Sequence, residues 1–484
     1  MKIKTLSPLL LLSLSALTWA DNSIPLDDVP LPLPFEQKLP SNPDTAEQKQ
    51  ADSPLAIQPT AALQLTETDL QQNPTLVAQL INQAIQAKQW DFLADLLVIY
   101  RQQTDADPVL LAYAHGAWLR AQGRQSEAIA EYRKIATPAV PYVQLDLALM
   151  LTEHKQYREA STILAELEKN SSVPEAQQVA AAYQRAINQS QAWQPSLSFN
   201  FEQTDNVNNA ADTRIIDWNG RLWRKTEDSL PKSAHGIRYS AGLSRTLNLN
   251  GHHFAQLDTS INGVHYWDAQ DFNEQSLRLA AGYRRQDIRQ DAGLQPFVEQ
   301  NWLGGARYNR NIGLTVDYNR QLNPSWRLGS YIQYSEKRYQ DEALARRYNS
   351  HLTHFGSTLS YRAQPGWLLY AGLDASNDDT REREQASWRY GLRAGTAKQF
   401  SNGLGVRANL RYTRREFKAP AQLVYEFTRR DHEYSANTAI WHERLSWKGL
   451  TPRLNFRYLK IDSNMSGFYS RNSKEWFISL EKNF

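Results

Sequence analysis

The chain of 484 residues contains no cysteine. Disulfides, Cys-ligated metal sites and thiol nucleophiles are therefore excluded together. Charge of one sign is missing too: 54 Lys and Arg against 51 Asp and Glu give a formal net charge of +3, too little for a nucleic-acid footprint. Outside the first twenty residues no apolar run approaches the roughly 18 to 20 residues that a spanning helix needs. No glycine-rich phosphate loop is present. The mean hydropathy of −0.62 is that of a soluble chain. That inference does not extend to β-barrels, whose lipid-facing residues are diluted by alternating polar ones facing the lumen.

The first twenty residues have the layout of a secretory signal. Lys2 and Lys4 make the positive start, Leu9 to Leu17 the apolar stretch, and Thr18-Trp19-Ala20 a cleavage site before Asp21. No cysteine follows that cut, so no lipid attachment is expected there. Residues 21–70 are proline-rich, with Pro25, Pro30, Pro32, Pro34, Pro40, Pro43, Pro54 and Pro59. Such density stops helix and sheet propagation, and an extended or disordered segment is expected.

From residue 71 the texture becomes Ala, Leu, Gln and Glu at helical spacing. Pro74, Pro108, Pro141 and Pro174 follow one another at 34, 33 and 33 residues, and Ala94, Ala128 and Ala160 recur near the start of each second helix. This period is similar to the tetratricopeptide repeat, with Gly116, Tyr132 and Pro141 fitting its pattern loosely. Residues 71–192 are expected to form about three such units, whose concave face commonly holds a peptide or partner protein. His115 and His154 are expected to be packing or surface groups.

From Pro195 to the end the period switches to two, as in "SLSFNFE", "RLGSYIQYSE" and "SWRYGLRAGT". About fourteen strands are expected, starting near residues 196, 236, 253, 275, 291, 308, 326, 349, 366, 386, 403, 430, 449 and 473. Their connections sort by parity. Even strands are followed by short turns such as "NLNGH", "NPS", "QPG" and "SNG", odd strands mostly by longer polar stretches. Short turns on one rim and long loops on the other are the layout of an outer-membrane barrel. Of 14 Trp, 23 Tyr and 15 Phe, roughly 40 lie in this region, many near strand ends (Trp302, Trp326, Trp367, Trp388, Trp441), as interfacial girdles require. The fold class is thus α+β multidomain: N-terminal helical repeats, then an antiparallel transmembrane barrel over 195–484. An even strand count places both barrel ends and the helical domain in the periplasm.

The chain ends "EWFISLEKNF". Trp476, Ile478 and Leu480 share a face, Lys482 interrupts it, and Phe484 is terminal. This resembles the signal read by the outer-membrane barrel-assembly machinery. No catalytic, cofactor-binding or metal-binding residue emerges. His351 and His354 are three apart in a strand and face opposite ways, and His252 and His253 fall in a turn, where they would be solvated. Glu299, Arg393, Arg407 and Arg411 would line a lumen. An enzyme is not expected, a barrel lipase or protease being the alternative of that class.

Signal, degenerate repeats and a barrel of about 290 residues together resemble the surface lipoprotein assembly modulator (Slam) family. The resemblance is sharpest over Gln194 to Ala210, "QPSLSFNFEQTDNVNNA". There Thr204, Asp205, Asn206, Val207, Asn208 and Asn209 are similar to that family's polar stretch after the first strand. Membership implies an outer-membrane translocator that helps client proteins reach the cell surface. Clients would be surface lipoproteins that capture transferrin, lactoferrin or haem, or a secreted haem- or iron-binding protein. No cofactor is implied. The expected partners are the client, outer-membrane lipids and the barrel-assembly machinery, with no nucleic acid, and the chain is expected to be a monomer. A translocation seam is expected between the first and last strands, 196–204 and 475–484. The alternative is an exopolysaccharide export porin with periplasmic repeats, although such porins carry longer arrays and wider barrels. A plain nutrient porin would leave the repeats without a purpose.

Overall fold

The computed structural model describes residues 67–483 apart from 138–139, 219–220 and 421–425, together with Lys4–Thr5. The expected signal peptide, apart from Lys4–Thr5, and nearly all of the proline-rich segment lie outside the described residues, as does Phe484.

Eight helices come first: α1 (Glu67–Gln72), α2 (Pro74–Gln86), α3 (Trp90–Gln102), α4 (Pro108–Ala121), α5 (Gln125–Ile135), α6 (Pro141–Glu153), α7 (Tyr157–Asn170) and α8 (Pro174–Ser190). The periodic prolines each occupy the first position of a helix, α2, α4, α6 and α8. A missing N–H costs nothing there and the fixed φ is already helical. Asn73 and Asp107 cap α2 and α4 by accepting from the backbone N–H groups of Leu76 and Val109. Within each pair the chain turns through one left-handed residue, Lys88, Gly123 or Lys155. Three helical hairpins result, closed by α8. Ala128 and Ala160 are fully buried, letting paired helices approach closely. Gly116 goes further: a Cβ there would stand 2.4 Å from the Tyr132 ring.

Fourteen antiparallel strands then close into a barrel. They are β1 (Gln194–Thr204), β2 (Ala234–Asn250), β3 (His253–Tyr266), β4 (Glu274–Gln286), β5 (Gln290–Leu303), β6 (Ala306–Gln321), β7 (Trp326–Tyr339), β8 (Ser350–Gln364), β9 (Trp367–Thr380), β10 (Ser387–Gln399), β11 (Leu404–Pro420), β12 (Thr428–His442), β13 (Leu450–Ser463) and β14 (Arg471–Asn483). Along each strand large apolar side chains alternate with polar ones and stand exposed on the outer face, for example Leu314, Val316, Leu373, Leu392 and Leu410. A soluble protein would bury such a band. A lipid-facing wall presents it. Among the described residues no helix is long and apolar enough to cross a membrane.

Short turns join β2–β3, β4–β5, β6–β7, β8–β9 and β10–β11 on the near rim, beside the helices, whereas β12–β13 takes the longer connection 443–449 with a 3-10 turn at Glu443–Leu445. Longer connections cross the far rim, except that β5–β6 is the two-residue turn Gly304–Gly305, both with positive φ. Trp302, Trp326, Trp367 and Trp388 face outward near strand ends. Trp441 departs from the girdle expected of it: it lies on the inner face, its ring where a Gly405 side chain would be, and the Arg453 guanidinium is 4.5 Å from the ring centroid.

Candidate functional site

Three features of the barrel stand out: its junction with the helices, its interior and its closing seam.

The helical domain is seated on the β2–β3 turn. Phe254 of β3 is buried within the core of α5 to α8 and meets Tyr157 edge-on, with centroids 5.9 Å apart. Arg158 reaches Asn248 and the Leu249 carbonyl at 3.0 Å each. After α8, Gln191 accepts from Arg245 through its carbonyl and from the Asn248 N–H through its side chain. His252, expected to be solvated, instead meets the buried His154 ring edge-on at 4.4 Å. Burial and that neighbour push the His154 pKa down to about 4. A turn that reads as exposed in sequence is thus a docking surface, because α6 and α7 cover it.

Inside the barrel the expected alternation places Glu299, Arg393, Arg407 and Arg411 on the inner face, but the charges are sorted by wall. From β10 to β14 the inner face carries Arg389, Arg393, Arg407, Arg411, Arg415, Arg429, Arg453, Arg457 and Arg471. Among the described side chains its carboxylates are Asp431, Glu433 and Glu475. From β1 to β6 carboxylates prevail: Glu202, Asp258, Glu274, Asp291, Glu299 and Asp317 beside Arg238, Arg278 and Arg284. Asp374 on β9 accepts from Arg393 and pairs with Arg411 at 3.5 Å. Arg284 bridges Asp291 and Asp317. Arg471 is buried, and its Nε and Nη1 have no hydrogen-bond partner. His351 and His354 do face opposite ways, each beside a tyrosine. No group of three or more His, Asp or Glu placed to hold a metal occurs among the described residues.

The six-residue motif after the first strand builds the largest far-rim loop, residues 205–233. Asn206 uses its amide both ways on Ala210, donating to the carbonyl at 2.8 Å and accepting from the N–H at 2.9 Å. Asn208 does the same across the loop, with the Leu230 carbonyl and the Lys232 N–H. Val207 donates to the Lys232 carbonyl, Asn209 takes the left-handed φ of 50°, and Thr204 accepts from the Asn206 N–H. The loop is therefore tied at its base. It contains a hairpin, Ile215–Trp218 with Arg221–Arg224, whose Ile216 packs against Gly467 in the β13–β14 connection. Lys225 is buried there, donating to the Ala211 carbonyl, and burial lowers its pKa to about 8.

Closure is incomplete in one place. Neighbouring strands elsewhere pair over eleven or more residues, but β14 meets β1 over five, from Ser479–Asn200 to Asn483–Ser196. Trp476, Ile478 and Leu480 of the expected assembly signal share the outer face beside this seam and are largely exposed, Trp476 at 64%. Composition gave no hint of the short pairing. Only the register of the last strand against the first defines it.

Residues 193–484 match the family model described as surface lipoprotein assembly modifier, and residues 63–164 match its N-terminal TPR repeats. The chain is 27% identical to a surface lipoprotein assembly modifier of Pasteurella multocida, over 96% of this chain and 94% of that one. It is 27% identical to surface lipoprotein assembly modifier 1 of Haemophilus influenzae, over 87% of each. It is 24% identical to the hemophilin secretion modulator of Acinetobacter baumannii, over 86% of this chain and 88% of that one. Tetratricopeptide repeats followed by a fourteen-strand outer-membrane barrel, matched over most of its length, make this chain a member of the surface lipoprotein assembly modifier family.

Proposed function

We propose that the protein exports client polypeptides across the outer membrane to the cell surface, the clients being surface lipoproteins or a secreted haem-binding protein. The observation that carries this reading is the fixed seating of a peptide-binding type of repeat domain on the near rim of a barrel. A solute pore needs no such receiver, and three repeats are a short array for a polysaccharide exporter. The names of the relatives, lipoprotein assembly modifiers and a hemophilin secretion modulator, fit the same reading.

In this reading residues 1–20 are a signal peptide that is removed and the proline-rich residues before α1 link it to the repeats. Residues 71–192 receive the client in the periplasm, and 195–484 form the membrane barrel. Trp476, Ile478, Leu480 and Phe484 are the signal to the barrel-assembly machinery. Residues Thr204 to Asn209 hold the far-rim loop at its base. The chain works as a monomer, without cofactor or catalytic step. The interior conducts rather than reacts: its arginine wall favours acidic stretches of an unfolded chain and the opposite wall basic ones.

Deletion of the gene, followed by protease shaving of intact cells with total protein as control, tests this. Iron- and haem-binding surface proteins should leave the surface while remaining in the periplasm. Unchanged protein display together with loss of a secreted polysaccharide would contradict it.

A further inference from the structure

The seam between β14 and β1 is an eyelet rather than a plain defect. Below it lie the five backbone pairs ending at Ser479–Asn200. Continuing that register would pair Ile478 with Phe201 and Glu475 with Thr204, yet those rungs are absent. Above it the edges are held again, by side chains alone: Ser473 Oγ donates to Asp205 at 3.5 Å and Asn472 to Asp212 at 3.4 Å. The eyelet therefore has closed ends and unladdered sides.

Its two faces differ. On the lumen side Arg457 of β13 spans the opening, 3.7 Å from Glu202 of β1 and 3.2 Å from Glu475 of β14. Arg238 of β2 grips Glu202 from behind at 2.8 and 3.1 Å. On the outer side Phe201, Trp476 and Ile478 form apolar lips, each about half exposed or more. Backbone N–H and C=O groups at membrane depth must find partners. Lipid tails offer none. The partner that satisfies an open strand edge is another extended backbone.

We propose that the eyelet is a strand-accepting site. A client segment of alternating polar and apolar residues adds by β-augmentation to the free edge of β14, and of β1 opposite. Its polar side chains replace the Arg457–Glu202 clasp, and its apolar ones join Phe201 and Ile478. The charged clasp opens to the lumen, so the occupant arrives from inside the barrel as an unfolded client does. A second copy of the chain would approach from the lipid side, where it meets the apolar lips and the single charge of Lys474 rather than the Arg457–Glu202 clasp. This deepens, and rests on, the export reading above.

The lack of any cysteine makes the test clean. In the full-length protein, Phe201→Cys with Ile478→Cys is bridged by a short thiol crosslinker. Leu373→Cys with Leu392→Cys, paired across the intact β9–β10 ladder, is the control. Heat-modifiable gel mobility confirms that both variants are folded barrels. Bridging the seam should reduce surface display of the client at least tenfold, reversibly with a cleavable linker, while the control pair has no effect. Photocrosslinkers at Gln203 and Trp476 should capture alternate residues of a stalled client, and one at Leu373 should not. Display that survives a bridged seam, but disappears on gene deletion, overturns the strand site and leaves the export reading intact. Capture of a second copy of the chain in place of client overturns it in favour of a dimer contact. Display unaffected by deletion overturns both.

Discussion

Single residues already decide sign as well as size. Glycine inside a helix ordinarily costs about 1 kcal/mol relative to alanine, so Gly116→Ala would be stabilising on propensity alone. Its new Cβ would stand 2.4 Å from the buried Tyr132 ring, and overpacking of that kind costs about 1 to 3 kcal/mol. We expect a net loss in the melting temperature of the helical signal, and a gain would show that Tyr132 can move aside. Phe254→Ala should cost about 3 kcal/mol or more of docking between barrel and repeats. It should show as faster proteolysis around residues 191–193 with the barrel intact. His154 gives this junction a pH dependence. Its docked pKa of about 4 lies below the ordinary 6.5, so the undocked state binds a proton that the docked state refuses. Docking is therefore insensitive above pH 7 and weakens from pH 6.5 toward 4, by up to tenfold per unit. Hydrogen exchange of α6 and α7 at pH 7.5 and 5 measures it, and His154→Gln should flatten the difference.

At the scale of elements, much of the fold is legible in the sequence because period and punctuation carry it. The expected strand starts fall within two residues of β1 to β14, since alternation and turn dipeptides fix where each strand begins. The prolines at 74, 108, 141 and 174 mark helix starts for a stated stereochemical reason. What escapes is whatever depends on partners remote in sequence. Asn206 and Asn208 announce a polar stretch, yet their hydrogen bonds to Ala210, Leu230 and Lys232 make them the staple of the far-rim loop. We expect Asn208→Ala to free that loop, raising its protease sensitivity on intact cells while leaving barrel mobility unchanged. His252 looks solvated until α6 and α7 are laid over it, and Trp441 looks like a girdle residue until its strand's register turns it inward. The eyelet follows from a register between the first and last strands, nearly 300 residues apart. No local pattern encodes it.

For the whole molecule, three structural facts converge on directional passage. The repeats are locked to one rim, the opposite rim carries a loop tied at its base, and the wall between them is polarised in charge and incompletely closed at one seam. The first of these is what a passive solute pore has no use for. A carrier of unfolded polypeptide would need a receiver, a charged interior that neither traps nor repels, and a route by which the chain can fold outside. The most direct measurement is reconstitution of the full chain into liposomes with the helical domain facing outward. A candidate client is then added outside as an unfolded chain, with and without periplasmic extract. Client that becomes protease-protected only in vesicles holding the protein is the expected result. Client that stays fully accessible in both conditions, while small solutes or polysaccharide cross, would contradict the claim that this protein transports proteins.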